Sequence, residues 1–285
     1  MFFRKNKSEK SKDRPENIYK PGLLFVELMF EDAPNFQIEK ILSDLKNVIG
    51  DTDIMTSSKD MTAFILKEHP VKYKDAEIPS QCILFSTLNK IEYEKLIPSL
   101  QQTRERENMN ETVKNCRYKI AFSDFMPNHN DGYARLSLFN NALKVIINNV
   151  DCKVLHFLNS QILISPIDFI DRISQGDHLA GALNVRLFNI QNSEDMLMDT
   201  LGLHTFGLPD IQCHFKELDP NEIARVIYNA GYYIFDKGDI IDDGNTIQGI
   251  KENDKWKCQH EESLVEPNRI VLDINPGSQY AAGGR

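Results

Sequence analysis

Two histidines bracket the most unusual stretch of this sequence, Thr200-Leu201-Gly202-Leu203-His204-Thr205-Phe206-Gly207-Leu208-Pro209-Asp210-Ile211-Gln212-Cys213-His214. Imidazoles and thiolates are the ligands zinc takes, and two of them on facing strands make half a site. Gly207 and Pro209 mark a tight reversal between two strands, so the length of the loop decides which residues meet. An even loop, closed by Gly207 with Asp210 or by Phe206 with Ile211, sets His204 opposite Cys213. A five-residue loop sets His204 opposite His214. Either pair needs a third ligand from elsewhere, with His156 or His260 as the available histidines. The plainer reading is a hairpin whose glycines and proline set backbone shape, and no metal site is assigned beyond His204 and His214 as would-be ligands.

The second chemistry-bearing stretch is Asp239 to Asn245, where Asp242-Asp243-Gly244-Asn245-Thr246 resembles part of a calcium loop. It lacks the alternate-residue spacing of an EF-hand, and the twelfth position from Asp239 is Ile250 rather than glutamate, so an acidic turn is expected. His260-Glu261-Glu262 opens like a zinc-protease helix but has no second histidine one turn on. The phosphate-binding loops, the dinucleotide fingerprint and the nucleophile elbow are all absent from the sequence. Asp168 with Asp171 and Glu194 with Asp195 are spaced for solvent faces rather than for acid–base work. Were the hairpin and the acidic turn to converge on a concave pocket, the chain would be a small-ligand or metal-binding enzyme. The candidate surface is then Thr200, Gly202, His204, Phe206, Gly207, Pro209, Asp210, Asp243, Gly244 and Thr246. No catalytic residue is assigned and no cofactor is expected.

The elements that must position these residues follow from hydrophobic period. Leu23–Phe30 reads as a buried strand, and Ile38, Ile41, Leu42, Leu45, Val48 and Ile49 recur at helical spacing between a cap at Asn35 and a stop at Gly50. Strands are expected near Asp53–Thr56, Thr62–Leu66 and Gln81–Thr87. From Asn89 to Asn115 the chain is polar, broken by Pro98, and reads as a surface helix or linker. Strand and helix then alternate: Tyr118–Phe125, Tyr133–Val150, Lys153–Leu158, Gln161–Ile164, Pro166–Ile173 and Leu183–Ile190. Asp219-Pro220-Asn221-Glu222 has the residues of a helix start, with Asp as cap, Pro at the first position and Glu able to close a capping box. That helix carries Tyr228 and Tyr232 on one face, extended by Phe235. Alternation over Lys255–His260 predicts a half-buried strand, and Arg269–Ile274 a final one. The fold class is α+β, as two successive sheet-plus-helix units over 21–115 and 116–275, in a tandem ferredoxin-like manner, with a mobile basic tail at 1–20 and a flexible tail at 276–285.

Composition narrows the function classes. The chain has 285 residues, 41% apolar and 26% charged, enough to bury a sizeable core. The net charge of −9 argues against nucleic acid as a partner, since phosphate contacts need a basic face. That charge is uneven, because the first twenty residues hold seven lysines and arginines against three acids. Phe2 and Phe3 beside those charges give only weak adhesion to a membrane surface, and no stretch is long and apolar enough to span one. Five widely spaced cysteines without a C-x-x-C pair, Cys82, Cys116, Cys152, Cys213 and Cys258, point to reduced thiols in a cytoplasmic setting.

The order of segments resembles the bacterial domain-of-unknown-function 4261 family. The features that carry the resemblance are the strand–helix opening, Ile97-Pro98-Ser99 ahead of a polar helix, and the strand Lys119–Phe125 with the helix Tyr133–Val150. They continue with Val154-Leu155-His156-Phe157 and Ile164-Ser165-Pro166. The closest parts are Thr200-Leu201-Gly202-Leu203 with Phe206-Gly207-Leu208-Pro209-Asp210-Ile211, then Gly238 and Asp243-Gly244-Asn245-Thr246-Ile247. The resemblance extends over residues 20–275 and implies a fold and a cytoplasmic bacterial setting, but no reaction. With no catalytic signature in an acidic body, the expected function is protein interaction, as an adaptor or immunity-type module whose partner is another protein. The oligomeric state is left open.

Overall fold

The computed structural model describes residues 20–73, 75–103, 105–125 and 131–283. Residues 1–19 of the expected basic tail, and the last two residues, lie outside the described ones. The chain divides into two compact bodies between Leu183 and Asn184. The boundary expected near residue 115 is therefore displaced, and strand pairing explains why. The strand that follows residue 116 is drawn into the middle of the first sheet.

In the first body the elements run β1 (Phe25–Phe30), α1 (Ile38–Ile49), β2 (Thr52–Ser57), β3 (Met61–Tyr73), β4 (Ala76–Phe85), β5 (Asn89–Lys90) and α2 (Tyr93–Gln101). Then come α3 (Arg106–Asn115), β6 (Tyr118–Phe125), α4 (Gly132–Asn148), β7 (Val154–Phe157), β8 (Ile162–Ile164) and α5 (Pro166–Ser174). Among the described residues these strands form one sheet in the order β2-β3-β4-β6-β1-β7-β8, with β5 also on β6. β6 pairs with β1 and β4, and β7 with β1, all antiparallel. A unit closing at residue 115 would leave β1 without β6, and its backbone donors and acceptors without partners.

β1 sits between two strands, which is why it reads as a continuous apolar run rather than an alternating one. Val26, Leu28 and Phe30 share one face with Phe122, the register partner of Val26, and Phe122 meets Phe139 of α4 at 5.3 Å between ring centroids. Met29 belongs to the opposite face, buried with Leu96 and Leu100 of α2, Met109 and Val113 of α3, and Leu163 of β8. The polar segment 89–115 is thus two helices covering the sheet, not a linker. Sparse apolar residues suffice because those four from the segment, Leu96, Leu100, Met109 and Val113, are all buried. Pro98 does not end α2, which continues to Gln101.

The second body runs β9 (Asn184–Asn189), β10 (Met196–Leu201), a 3-10 turn (Leu203–Phe206), β11 (Asp210–Phe215), α6 (Pro220–Lys237), β12 (Thr246–Ile247), β13 (Trp256–Glu262) and β14 (Ile270–Asn275). Its sheet has the order β12-β13-β14-β11-β10-β9. Only β11 and β14 run parallel among the described pairs. One face is apolar, with Met198 opposite Cys213, Ile211 opposite Leu272 and Cys258 opposite Ile274. Against β9, β10 and β11 lies α6, whose buried stripe is Ile223, Val226, Ile227, Ala230 and Ile234. Asp219 caps this helix by accepting from the Asn221 amide at 2.9 Å, and Tyr228 and Tyr232 stack on its face at 5.0 Å. The expected flexible C-terminus is instead fastened through Gly283: Lys216 donates to the Tyr280 carbonyl, Ala282 donates to the His214 carbonyl, and Phe215 bridges to Ala281. The α+β class holds in both bodies.

All five cysteines are free thiols, four of them buried. Burial pushes the Cys82, Cys152 and Cys258 thiols up to about 12 and Cys116 to about 11, where the reactive thiolate is scarce at neutral pH. Ellman's reagent at pH 8 is therefore expected to modify less than one thiol per native chain, and all five once the chain is denatured. Two or more thiols reacting natively at the denatured rate would contradict this packing.

Candidate functional site

The polar face of the second sheet holds a network of buried charges. Asp199, Asp210 and Gln212 are fully buried and Arg186 is 3% exposed. A buried carboxylate is tolerated only when donors surround it. Asp199 receives both arms of Arg186, at 2.9 and 2.6 Å, and one arm of Arg269 at 2.6 Å. Arg269 also donates through Nε to Asp210 at 3.0 Å, so one guanidinium spans two carboxylates. Asp210 accepts three more bonds, from the Thr200 hydroxyl, the Leu203 amide and His204 Nδ1, at 3.1, 3.0 and 2.9 Å. Burial alone would raise the Asp210 carboxyl, but His204, Arg269 and the Leu203 amide hold it below the usual range. At Asp199 burial pushes the carboxyl up against the opposing pull of Arg186 and Arg269.

This network settles the geometry of the hairpin. Leu197 faces His214, Met198 faces Cys213 and Asp199 faces Gln212. His204 therefore meets neither Cys213 nor His214, because it lies in the 3-10 turn rather than on a strand. Eight residues bridge β10 to β11, closed by the carboxylate of Asp210 folding back onto Leu203 and His204. Gly202 at φ +137° and Gly207 at φ +74° adopt the backbone the turn needs, which a side chain would resist. Pro209 is buried at the entry to β11. Phe206 is spent on packing, edge-on to Phe235 at 5.0 Å. Of the sequence candidates, Thr200, His204 and Asp210 are brought together, with Gly202 and Gly207 shaping the turn between them.

Asp243, Gly244 and Thr246 belong to a different cluster. His260 Nδ1 lies 2.7 Å from Asp243 and its Nε2 lies 3.1 Å from Asp239. Gly244 donates to the Cys258 carbonyl, and Thr246 is exposed on the edge strand β12. His260 stands in register with Leu272 and Ile211, whereas Asp210 stands in register with Val271 and Glu261. Side chains alternate along a strand, so the two clusters occupy opposite faces of the sheet. Among the described residues no three histidine, cysteine or carboxylate side chains gather to hold a metal ion.

Two features in the first body were not visible in the sequence. Ser99 Oγ lies 3.1 Å from His156 Nε2, and His156 Nδ1 lies 3.2 Å from Glu27 Oε2, the order of a hydrolase triad. Burial raises the Glu27 carboxyl, but bonds from His156 and from Lys119 at 2.6 Å outweigh it and hold it low. Ser99 is 5% exposed within α2, so the series joins a buried helix face to the sheet. The other feature is a cavity of about 530 Å³ between α3, β8 and α5, the volume of a ligand site. No residue of 200–214 lines this cavity.

The comparisons bear on the second body. Residues 199–275, from Asp199 to Asn275, match the family model described as Domain of unknown function (DUF4261). The match takes in the two closest strings of the resemblance and nearly all of the buried network, with Arg186 outside it. It does not extend over 20–198. No curated protein and no solved structure matches the chain.

Replacing Arg269 by alanine leaves Asp199 and Asp210 short of donors and is expected to cost about 3–5 kcal/mol, read as a lowered urea midpoint. Arg269→Lys should recover only part of this, since one ammonium cannot fork between two carboxylates. A carboxyl held low in the fold contributes stability above its unfolded value and loses it as pH falls through the folded one. The Asp210→Asn variant should accordingly be less stable at pH 7 and show a shallower fall in stability below pH 4. An unchanged acid limb would mean that Asp210 is not held low.

Proposed function

We propose that this protein is a non-catalytic protein-binding module of the adaptor or immunity type, acting in a cytoplasmic bacterial setting. The observation that carries the reading is the saturation of the polar cluster within the family-matched domain. Asp210 accepts four bonds from within the fold, and the histidine among its donors, His204, is thereby committed to it. A general base needs a lone pair facing a substrate, and a metal site needs ligands not already bonded. This cluster has the character of a scaffold. Five free thiols support a reducing compartment. No helix among the described residues is long and apolar enough to cross a membrane.

The alternative, a ligand site shared by the hairpin and the acidic turn, loses its support because the two clusters face opposite sides of the sheet. The test is capture of a partner by the intact tagged protein from its native host, followed by reconstitution from the two purified components. A partner that re-forms a complex at fixed stoichiometry and micromolar or tighter affinity is the expected result. A stoichiometric small-molecule or metal adduct in place of a protein, lost in a His204→Ala variant, would overturn the reading.

A further inference from the structure

The cavity between α3, β8 and α5 has an apolar floor and an acidic rim. Met109, Ile162, Leu163 and Ile164 form the floor, none more than 9% exposed. Five charged side chains line it as well: Glu105, Asp168 and Asp171, with Lys153 and Arg172. The two cations are already matched by carboxylates outside the lining. Lys153 pairs with Asp151 at 2.7 Å, and Arg172 pairs with Asp177 at 2.7 Å. The three acids are not matched, since none of them forms an ion pair among the described residues; the Asp168 carboxylate accepts from the Ser165 hydroxyl at 2.6 Å, and the Asp168 amide donates back to that hydroxyl at 3.0 Å. The unbalanced charge of the cleft is therefore negative, above a floor that favours aliphatic groups.

Resting on the protein-binding reading, we propose that this cleft captures a basic peptide segment of the partner, seating an aliphatic side chain on Met109 and Ile162–Ile164 and setting lysines or arginines against Glu105, Asp168 and Asp171. A peptide fits better than a compact amine because an exposed apolar side chain adjoins the acidic rim along α5. Ile167, one residue before Asp168 on α5, is 72% exposed. Exposed carboxylates contribute modestly one by one, so the three together set preference and on-rate, while the floor supplies the desolvated contact.

The experiment is fluorescence anisotropy on the full-length protein with a labelled decapeptide of alternating leucine and lysine, its leucine–glutamate counterpart, and unlabelled hexylamine as competitor. The lysine peptide is expected to bind and the glutamate peptide to fail. The triple variant Glu105→Gln, Asp168→Asn, Asp171→Asn should weaken binding roughly tenfold, the scale of three exposed charge pairs. Met109→Asp should weaken it at least as much, with circular dichroism and thermal melting confirming that each variant folds. Equal binding of the two peptides, or no effect of either variant, overturns the proposal. Hexylamine competing at the peptide's own affinity also overturns it, in favour of a small-amine site. Reconstituting the captured partner with the triple variant separates the two levels: unchanged affinity sinks the cleft and leaves the protein-binding reading standing.

Discussion

A carboxylate with no access to water constrains everything near it, and in the second body that carboxylate is Asp210. Its charge persists only because four donors reach it from different levels of structure: a strand hydroxyl, a turn amide, a turn imidazole and a guanidinium from the loop before β14. Each donor fixes something. The Leu203 amide and His204 force the chain after β10 into a 3-10 turn instead of a tight hairpin. Thr200 both donates to Asp210 and accepts from the Ile211 amide at 2.8 Å, clamping the mouth of the loop. Arg269 carries the constraint to Asp199, and Arg186 extends it to the edge strand β9. Removing one member exposes the others to the full cost of an unpaired buried charge, so the network behaves as a unit.

The same rule explains a contrast between the two bodies. In the first, Glu27 sits on the central strand but finds Lys119 one strand away and His156 directly opposite on the other side, and the chain of bonds ends on Ser99 of α2. Those bonds orient a helix on a sheet. Triad order without an accessible nucleophile is geometry serving packing, because catalysis needs a reacting atom within reach of the serine. Ion pairs spent inside the fold cannot also meet a ligand. Three acids of the first body without an ion pair among the described residues, Glu105, Asp168 and Asp171, line the cleft beside α5.

Much of the architecture was legible from the residues. The apolar run at Leu23–Phe30, the stripe along Leu136–Ile147 and the Asp219-Pro220 start each fix an element by local physics, and the structure has them within a few residues. The second body's strands were legible for the same reason, and the closest strings of the family resemblance fall inside the matched segment 199–275. Long-range choices were less visible. No local signal says that β6 joins β1 and β4, so the body boundary at 183 was hidden. At 93–115 a surface helix was one of the two readings, but its packing on the sheet was hidden, because a few buried residues at each contact are enough when the sheet provides the rest. At the hairpin, glycine and proline announced a reversal, but its length depends on Asp210 being buried, and burial is set by the loop carrying Arg269 some sixty residues on.

Backbone strain points the same way as the charges. Among the described residues, a small number outside glycine hold positive φ, and one of them, Glu105 at +55°, stands at the entry to α3 on the wall of the cleft. A side chain in the left-handed region costs about 1–2 kcal/mol, and such a residue persists only where its surroundings over-determine it. Here the surroundings are the turn from α2 into α3, which must place Met109 and Val113 against the sheet within a few residues of leaving α2. Glu105 immediately precedes α3 and lines the cleft. The strain of the first body thus sits beside its unmatched charge, while the second body spends its charge on holding its own turn. Both bodies bond their buried carboxylates internally, Asp199 and Asp210 in the second and Glu27 in the first, and the first also sets three acids without ion pairs at the rim of its cleft.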